Sequence, residues 1–214
     1  MDKKMIKRIA MSVVGTTLCG MSVGFFKLAA FGVDPFQSFM AGLNKVWPIS
    51  FGTLYIIANA ALLIFALVFD RHYLGLATFI NLFFLGYIVQ FTHWALRTMI
   101  PDPNTFVRIG SLAFGVCLIS FACAVYITSD LGVSTYDAVA LIMANTWKIG
   151  KFKYMRILTD FVCVGTGTAL FLLAGEKVKD LFSIVGVGTI ITAFFMGPLI
   201  TFFQEKIAKP FLEK

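Results

Sequence analysis

Long apolar runs separated by short polar links make up almost the entire chain. The apolar segments cover residues 6–28, 34–47, 53–69, 74–98, 107–128, 134–147, 153–173 and 181–203. A helix needs about 20 residues to span the ~30 Å hydrocarbon core of a bilayer. Segments 34–47 and 134–147 are shorter, so each predicts either a short crossing or a helix that enters the membrane and returns. The pattern predicts an all-α polytopic membrane protein with about eight helices.

Similarity between the two halves of the sequence predicts a tandem repeat of four hydrophobic segments. Residues 8–49 align with 108–149 without a gap, and residues 75–86 align with 186–197. We therefore expect one membrane domain, residues 1–214, with a first repeat at 1–104 and a second at 105–214. Internal repeats that enclose a binding site between them are common among secondary transporters.

Composition supports the membrane assignment, since 59% of the residues are hydrophobic and 14% are charged. Soluble domains average roughly 45–50% apolar and about 25% charged residues. The net charge of +7 lies mostly in the short links, which favours a lipid bilayer as the partner and argues against nucleic acid. The cysteines lie within apolar segments without metal-ligand spacing, so we expect free thiols and no metal or cofactor.

The positions of the 18 Lys and Arg residues bear on topology, because cationic residues favour the cytoplasmic side. If all eight segments cross and the N-terminus is cytoplasmic, the outside holds only Lys27, Arg71, Lys177 and Lys179. This arrangement makes the repeats parallel, and the charge distribution favours it. The alternative has six crossings and inverted repeats, in which Lys45 lies outside and Arg71 inside. Both arrangements place the two termini in the cytoplasm, with the chain in a bacterial cytoplasmic (inner) membrane.

A polar elbow begins each short segment, as FGVDPFQSF in the first half and LGVSTYDAV in the second. Asp34 with Gln37, and Ser134 with Asp137, fit the capping box that satisfies free N–H groups at a helix start. Such caps are needed where a helix begins inside a membrane, because water is scarce there. A second, compatible interpretation is that both N-termini face a shared cavity and bind a polar substrate group such as a carboxylate or phosphate.

Other polar residues inside apolar segments are candidates because ionisable groups are costly in a bilayer. Asp160 follows Arg156 by four residues, so the two share a helix face and predict either an ion pair or a gate or proton-linked site. Asn59 occupies the related position of the first repeat. Gln90 lies three residues before His93, which predicts an interhelical hydrogen bond or a substrate contact.

A family resemblance follows from the first elbow and the residues after it. Gly32, Pro35, Gly42-Leu43 and the run Ile49-Ser-Phe-Gly-Thr53 match a pattern of the YczE/YyaS/YitT group of bacterial integral membrane proteins, which this chain resembles. Gln37 stands where that pattern has an acid, and Asp137 occupies the equivalent place in the second half. The resemblance implies a multi-helix membrane fold, with transport or export as the expected activity.

The sequence thus predicts a small-molecule transporter or exporter, secondary or facilitated, with a polar cavity between the repeats. A Gly-rich phosphate-binding loop and a readable catalytic triad are both missing, so we expect neither an ATPase motor nor an enzyme in this chain. One alternative is an accessory protein that stabilises or regulates a partner complex, and another is the membrane subunit of a larger transporter. Small residues such as Gly20 and Gly24 are typical of close helix packing and leave a homodimer open.

Overall fold

The computed structural model describes residues 3–49, 51–181 and 185–213, and every regular element within them is helical. Outside the described residues lie Ser50 of the Ile-Ser-Phe-Gly-Thr run, residues 182–184 of the last predicted segment, and Lys214. The elements are α1 (Lys3–Ala29), α2 (Pro35–Val46), α3 (Phe51–Phe69), a 3₁₀ turn (Arg71–Tyr73), α4 (Leu76–Met99), α5 (Thr105–Ser129), α6 (Thr135–Leu141), α7 (Phe152–Leu173), α8 (Val178–Leu181), α9 (Val187–Phe203) and α10 (Lys209–Glu213).

Each predicted apolar segment corresponds to a helix, which confirms the all-α fold. The main differences lie at helix ends. The α6 helix is α-helical for only 7 residues and continues as a π-helical turn over Ile142–Thr146. The last segment was expected from residue 181, but α9 begins at Val187 and continues through a second π-helical turn, Gln204–Ala208, into α10.

The centre of the fold is an antiparallel pair formed by α1 and α5. Arg8, near the start of α1, lies 3.5 Å from Asp130, which ends α5. At the other end of the pair, Arg108 Nε donates a hydrogen bond of 2.7 Å to the carbonyl of Ala29. Between these ends Gly15 packs against Tyr126, where a side chain on the glycine would overlap the tyrosine. The first helices of the two halves therefore run in opposite directions.

The fourth helix of each half runs alongside its own first helix. Gly20 packs against Ile88, and Gly24 packs against Thr92, so α4 is parallel to α1. In the same way α9 is parallel to α5. Gly188 packs against Leu112 near the starts of the two helices, and Phe203 contacts Phe121 nearer their ends. The tandem duplication stays a prediction, but if the halves are repeats they are related by inversion.

These directions correct the topology that the charge distribution favoured. Among the described residues five helical spans are long and apolar enough to cross a membrane: α1, α4, α5, α7, and α9 together with its continuation to Glu213. The apolar part of α3, Thr53–Phe69, is shorter. The α2 helix has 12 residues, which at 1.5 Å per residue is about 18 Å, too short to span the hydrocarbon core. The parallel arrangement with eight crossings is therefore wrong, and the six-crossing alternative accounts for the helix directions.

Both short helices start near the centre and return to the side from which their elbow came. Lys45, at the end of α2, forms an ion pair of 2.8 Å with Glu176, just beyond α7. At the end of the π-helical turn that follows α6, the Thr146 hydroxyl donates a hydrogen bond of 2.6 Å to Asp70, just beyond α3. This hydrogen bond lowers the pKa of the Asp70 carboxyl. The short helices therefore penetrate the protein from opposite sides without crossing it.

Each elbow is held by the fourth helix of the other half. The Thr189 hydroxyl donates to the carbonyl of Val33 at 2.5 Å, and the Thr78 hydroxyl donates to the carbonyl of Val133 at 2.7 Å. Gly32 and Gly132 adopt positive φ angles of 104° and 98°, which glycine accepts without steric cost. These cross-contacts fix the starting points of α2 and α6, and so position the site.

Candidate functional site

A cavity of about 100 Å³ lies where the N-termini of α2 and α6 meet between the two halves. Its wall combines polar and charged side chains of both elbows with aromatic rings and with thiols of the long helices. The lining includes Cys19, Asp34, Phe36, Gln37, Tyr55, Asn59, Asn81, Cys123, Ser134, Thr135, Tyr136, Asp137, Arg156 and Met196. The structure thus brings Asp34, Gln37, Asn59, Ser134, Asp137 and Arg156 to the lining of one cavity, and their binding of a substrate stays a prediction.

The predicted helix caps are present at both elbows. The Asp34 carboxylate accepts a hydrogen bond of 3.1 Å from the backbone N–H of Gln37. The Ser134 hydroxyl accepts one of 3.0 Å from the N–H of Asp137 and donates one of 2.6 Å to the Asp137 carboxylate. A cap side chain therefore already occupies a donor group at each helix start, which disfavours the expected binding of a carboxylate or phosphate there.

Arg156 is the buried centre of the charged cluster. Its side chain extends from α7, and the residue is only 5% exposed. One guanidinium nitrogen forms an ion pair and hydrogen bond with Asp137, and Nε lies 3.4 Å from the carboxylate of Asp160. The predicted pairing of Arg156 with Asp160 is therefore present, and Asp137 of α6 joins it. Two acids on different helices share one cation, since an unpaired charge would be costly at this depth.

Tyr136 connects the cluster to the aromatic wall of the cavity. Its hydroxyl donates a hydrogen bond of 2.6 Å to Asp160, and its ring lies 4.4 Å from the guanidinium carbon of Arg156. The Tyr136 ring also stacks on Phe36 with a centroid distance of 5.1 Å. Asp160 has no exposed surface, so it acts on the cavity through Arg156 and Tyr136 and does not line it directly.

Two buried polar atoms in this cluster lack a hydrogen-bond partner among the described residues. They are Nε of Arg156 and Oδ2 of Asp160, which face each other at 3.4 Å in the ion pair without forming a hydrogen bond. Buried polar groups are nearly always satisfied in folded proteins, so such exceptions often mark a site where a ligand or water binds. A similar pattern continues along α1, where the hydroxyls of Ser12 and Thr16 are 1% exposed and also lack a partner.

Asn59 has a structural contact as well as a place in the lining. Its amide oxygen accepts a hydrogen bond of 2.7 Å from Thr135, and its amide nitrogen donates one of 2.8 Å to the carbonyl of Tyr55. Asn59 therefore ties α3 of the first half to the start of α6 in the second half.

Gln90 does not join the central cluster. It is exposed and lines a neighbouring cavity of about 390 Å³, together with Lys27 and residues of α4. This cavity shares Gln37, Tyr55 and Asn81 with the central one, so the two are neighbours along the same polar wall. Neither Gln90 nor His93 forms the predicted interhelical hydrogen bond among the described residues, and a substrate contact of Gln90 stays a prediction.

Several lining residues carried no signal that sequence reasoning could use. Met196 lies in an apolar stretch and Tyr136 is the aromatic residue of the second elbow, and such side chains are usually packing residues. Cys19 and Cys123 are free thiols, as expected, but their Sγ atoms lie 3.7 Å apart across the α1–α5 pair. No group of three His, Cys, Asp or Glu side chains within the described ranges is placed to hold a metal ion.

The fold and site define a multi-pass helical membrane protein with a charged cavity between its two halves. The chain belongs to the family described as DUF6198, a family of unknown function, which matches residues 6–205. This membership agrees with the resemblance drawn from the elbow motifs.

Two relatives extend over most of the chain. An uncharacterised protein of Haemophilus influenzae is 24% identical over 204 residues, which cover 95% of this chain and 86% of the relative. The uncharacterised protein YyaS of Bacillus subtilis is 21% identical over 201 residues, which cover 94% of both chains. No solved structure matches this chain.

Proposed function

We propose that this protein is a secondary or facilitated transporter of a small molecule in the bacterial cytoplasmic membrane. The observation that carries the proposal is the meeting of two half-penetrating helices, from opposite sides, at one buried charged cavity. Interrupted or partial helices that meet at the membrane midplane are a recurring design of substrate sites in transporters with inverted repeats. A purely structural protein has no evident need to bury Asp137, Arg156 and Asp160 at its centre.

The arrangement also supplies a polar route away from the cavity. Ser12 and Thr16 are one helical turn apart on α1, and Thr16 precedes the cavity-lining Cys19. Arg8, one turn before Ser12, forms the ion pair with Asp130 at the end of the α1–α5 pair. In this proposal the route is closed in the described conformation and opens when α1 and α5 shift.

Orientation follows from the six-crossing arrangement together with the Lys and Arg positions. With both termini in the cytoplasm, the cytoplasmic side holds the basic residues of the N-terminus, of the link between α6 and α7, and of the C-terminus. The positive-inside bias supports this orientation. The opposite orientation would place most of these cations outside.

Reconstituted proteoliposomes test the proposal. Uptake of radiolabelled amines, amino acids, carboxylates and nucleosides is measured with the wild type and with an Asp137→Asn/Arg156→Gln variant, which removes the central ion pair as a unit. We expect saturable uptake of at least one class by the wild type and its loss in the variant. If the folded wild type transports no class and a partner complex retains its stability with the variant, an accessory role replaces the proposal.

A further inference from the structure

We propose that the central cavity binds a small organic cation, of the ammonium or guanidinium type. This inference rests on the proposed function, for which it names the substrate class. Its first basis is charge. Asp34, Asp137 and Asp160 provide three carboxylates around the cavity, and Arg156 is the only Lys or Arg side chain among its described lining residues. Asp137 and Asp160 already flank Arg156, whereas Asp34 forms no ion pair within the described residues.

The second basis is the aromatic wall beside these acids. Phe36 stacks on Tyr136 and meets Tyr55 edge-to-face with a centroid distance of 5.9 Å, so three rings line one side of the cavity. Cations are attracted to the faces of aromatic rings, and carboxylates combined with aromatic rings form the usual recognition site for ammonium groups. An anionic solute would meet the excess of carboxylates, which repels it.

Arg156 shows how a cation is held at this place. Its guanidinium contacts Asp137, lies over the Tyr136 ring and places Nε 3.4 Å from the carboxylate of Asp160. The guanidinium of Arg156 therefore already occupies half of the site, as a ligand that belongs to the protein itself. A second cation, bound at Asp34, would compete with Arg156 for the remaining carboxylate oxygens, so binding would be coupled to movement of α7 relative to α6.

The size of the cavity limits the cation. Its volume of about 100 Å³ is roughly three times the ~30 Å³ that one water occupies in the liquid. A guanidinium or a short alkylammonium group has a comparable size. A larger amine would place its tail in the adjoining cavity lined by Leu82, Leu85 and Gln90.

The test compares charged solutes with neutral solutes of the same shape. Guanidinium is compared with urea, and ethylammonium with ethanol, by the thermal midpoint of the purified protein at millimolar concentrations and constant ionic strength. We expect the two cations to raise the midpoint and the neutral partners to leave it unchanged. The inference is overturned if urea and guanidinium act equally, or if neither cation shifts the wild type.

The variant Asp34→Asn separates charge from helix capping, because Asn is as good an N-cap as Asp. We expect at least a tenfold increase in the half-saturating cation concentration with Asp34→Asn. The matched control is Asp102→Asn, which removes an exposed acid in the link between α4 and α5. An unchanged concentration with Asp34→Asn would contradict the assignment of Asp34, provided that the variant melts cooperatively.

A flux measurement distinguishes failure of the substrate class from failure of transport. Labelled guanidinium uptake by proteoliposomes is compared with equilibrium binding of the same cation. Binding without uptake would retain the cation site and overturn transport. Uptake of neutral or anionic solutes without cation binding would retain transport and overturn the substrate class.

Discussion

Arg156 on α7 and Asp137 on α6 form an ion pair that is nearly inaccessible to solvent, with side-chain exposures of 6% and 5%. The two residues lie 19 positions apart in the chain and belong to helices of different depth, one spanning and one half-penetrating. Their pairing links the short helix to the long one at the centre of the protein. Any movement that opens the cavity on this side must break or reposition this pair.

We expect Arg156→Gln to destabilise the protein strongly, because it leaves Asp137 and Asp160 as adjacent buried carboxylates without a cation. Breaking a buried ion pair by removing one partner costs about 3–5 kcal/mol. The free energy of unfolding in detergent, measured with a denaturant series, checks the loss. Adding Asp137→Asn to this variant should recover part of the stability, and a double variant that is less stable than Arg156→Gln would contradict the pairing.

The contact between α2 and α7 depends on two facing glycines, Gly42 of α2 and Gly167 of α7. A Cβ atom on Gly167 would lie 2.6–2.8 Å from backbone atoms of Ser38 and Phe39, closer than side chains approach in folded proteins. We therefore expect Gly167→Ala to destabilise the fold by about 1–3 kcal/mol through overpacking. The thermal midpoint measures this effect.

Gly165 provides a matched control two residues earlier on the same helix, because nothing lies within 4 Å of a Cβ placed there. Gly165→Ala should be neutral or stabilising by up to about 1 kcal/mol, since Ala has the higher helix propensity. Equal effects of the two substitutions would show that α2 does not dock closely on α7.

Membrane topology can be tested with single cysteines at Lys45 and Arg71. In the six-crossing arrangement Lys45 is on the side of Glu176, and Arg71 is on the side of the N-terminus, where His72 lies 3.0 Å from Asp130. In intact cells we expect an impermeant maleimide to label Lys45→Cys from outside and to reach Arg71→Cys only after permeabilisation. The reverse pattern would restore the arrangement with eight crossings.

The thiols of Cys19 and Cys123 report directly on the packing of α1 against α5. Their Sγ atoms need to approach by only about 1.7 Å to reach the disulfide bond length of roughly 2.05 Å. With Cys117→Ser and Cys163→Ser, we expect copper phenanthroline and oxygen to oxidise the pair to an intramolecular disulfide, with loss of two hydrogens detected by mass spectrometry. Adding Cys123→Ser should abolish the product, and exclusively intermolecular cross-links would contradict the contact between α1 and α5.

Hydrophobic runs and capping residues predicted much of this fold because both act locally. The apolar segments match the helices closely, and Asp34 and Ser134 cap the helices that they were expected to cap. Asp160 and Arg156 were recognisable as neighbours because a spacing of four residues places side chains on one helix face.

Relationships between distant helices could not be obtained from the sequence in the same way. The count of Lys and Arg favoured eight crossings because it treated every apolar segment as a span, although α2 starts at the centre and returns. The pairing of Asp137 with Arg156 and the stacking of Phe36 on Tyr136 depend on which helices are neighbours. Local periodicity gives no information on that choice, so Tyr136 could not be distinguished from an ordinary packing residue.

The exchange of elbow contacts between the halves has a consequence for biogenesis. The elbow after α1 is held by the Gly188 N–H, which donates to the Phe31 carbonyl at 2.8 Å, and by the Thr189 hydroxyl. A nascent chain therefore inserts α1 to α4 long before the ribosome has made the residues that anchor the first elbow. Until α9 leaves the translocon, the polar start of α2 lacks its contacts with Gly188 and Thr189. The late insertion of α9 therefore completes the assembly of both halves at once.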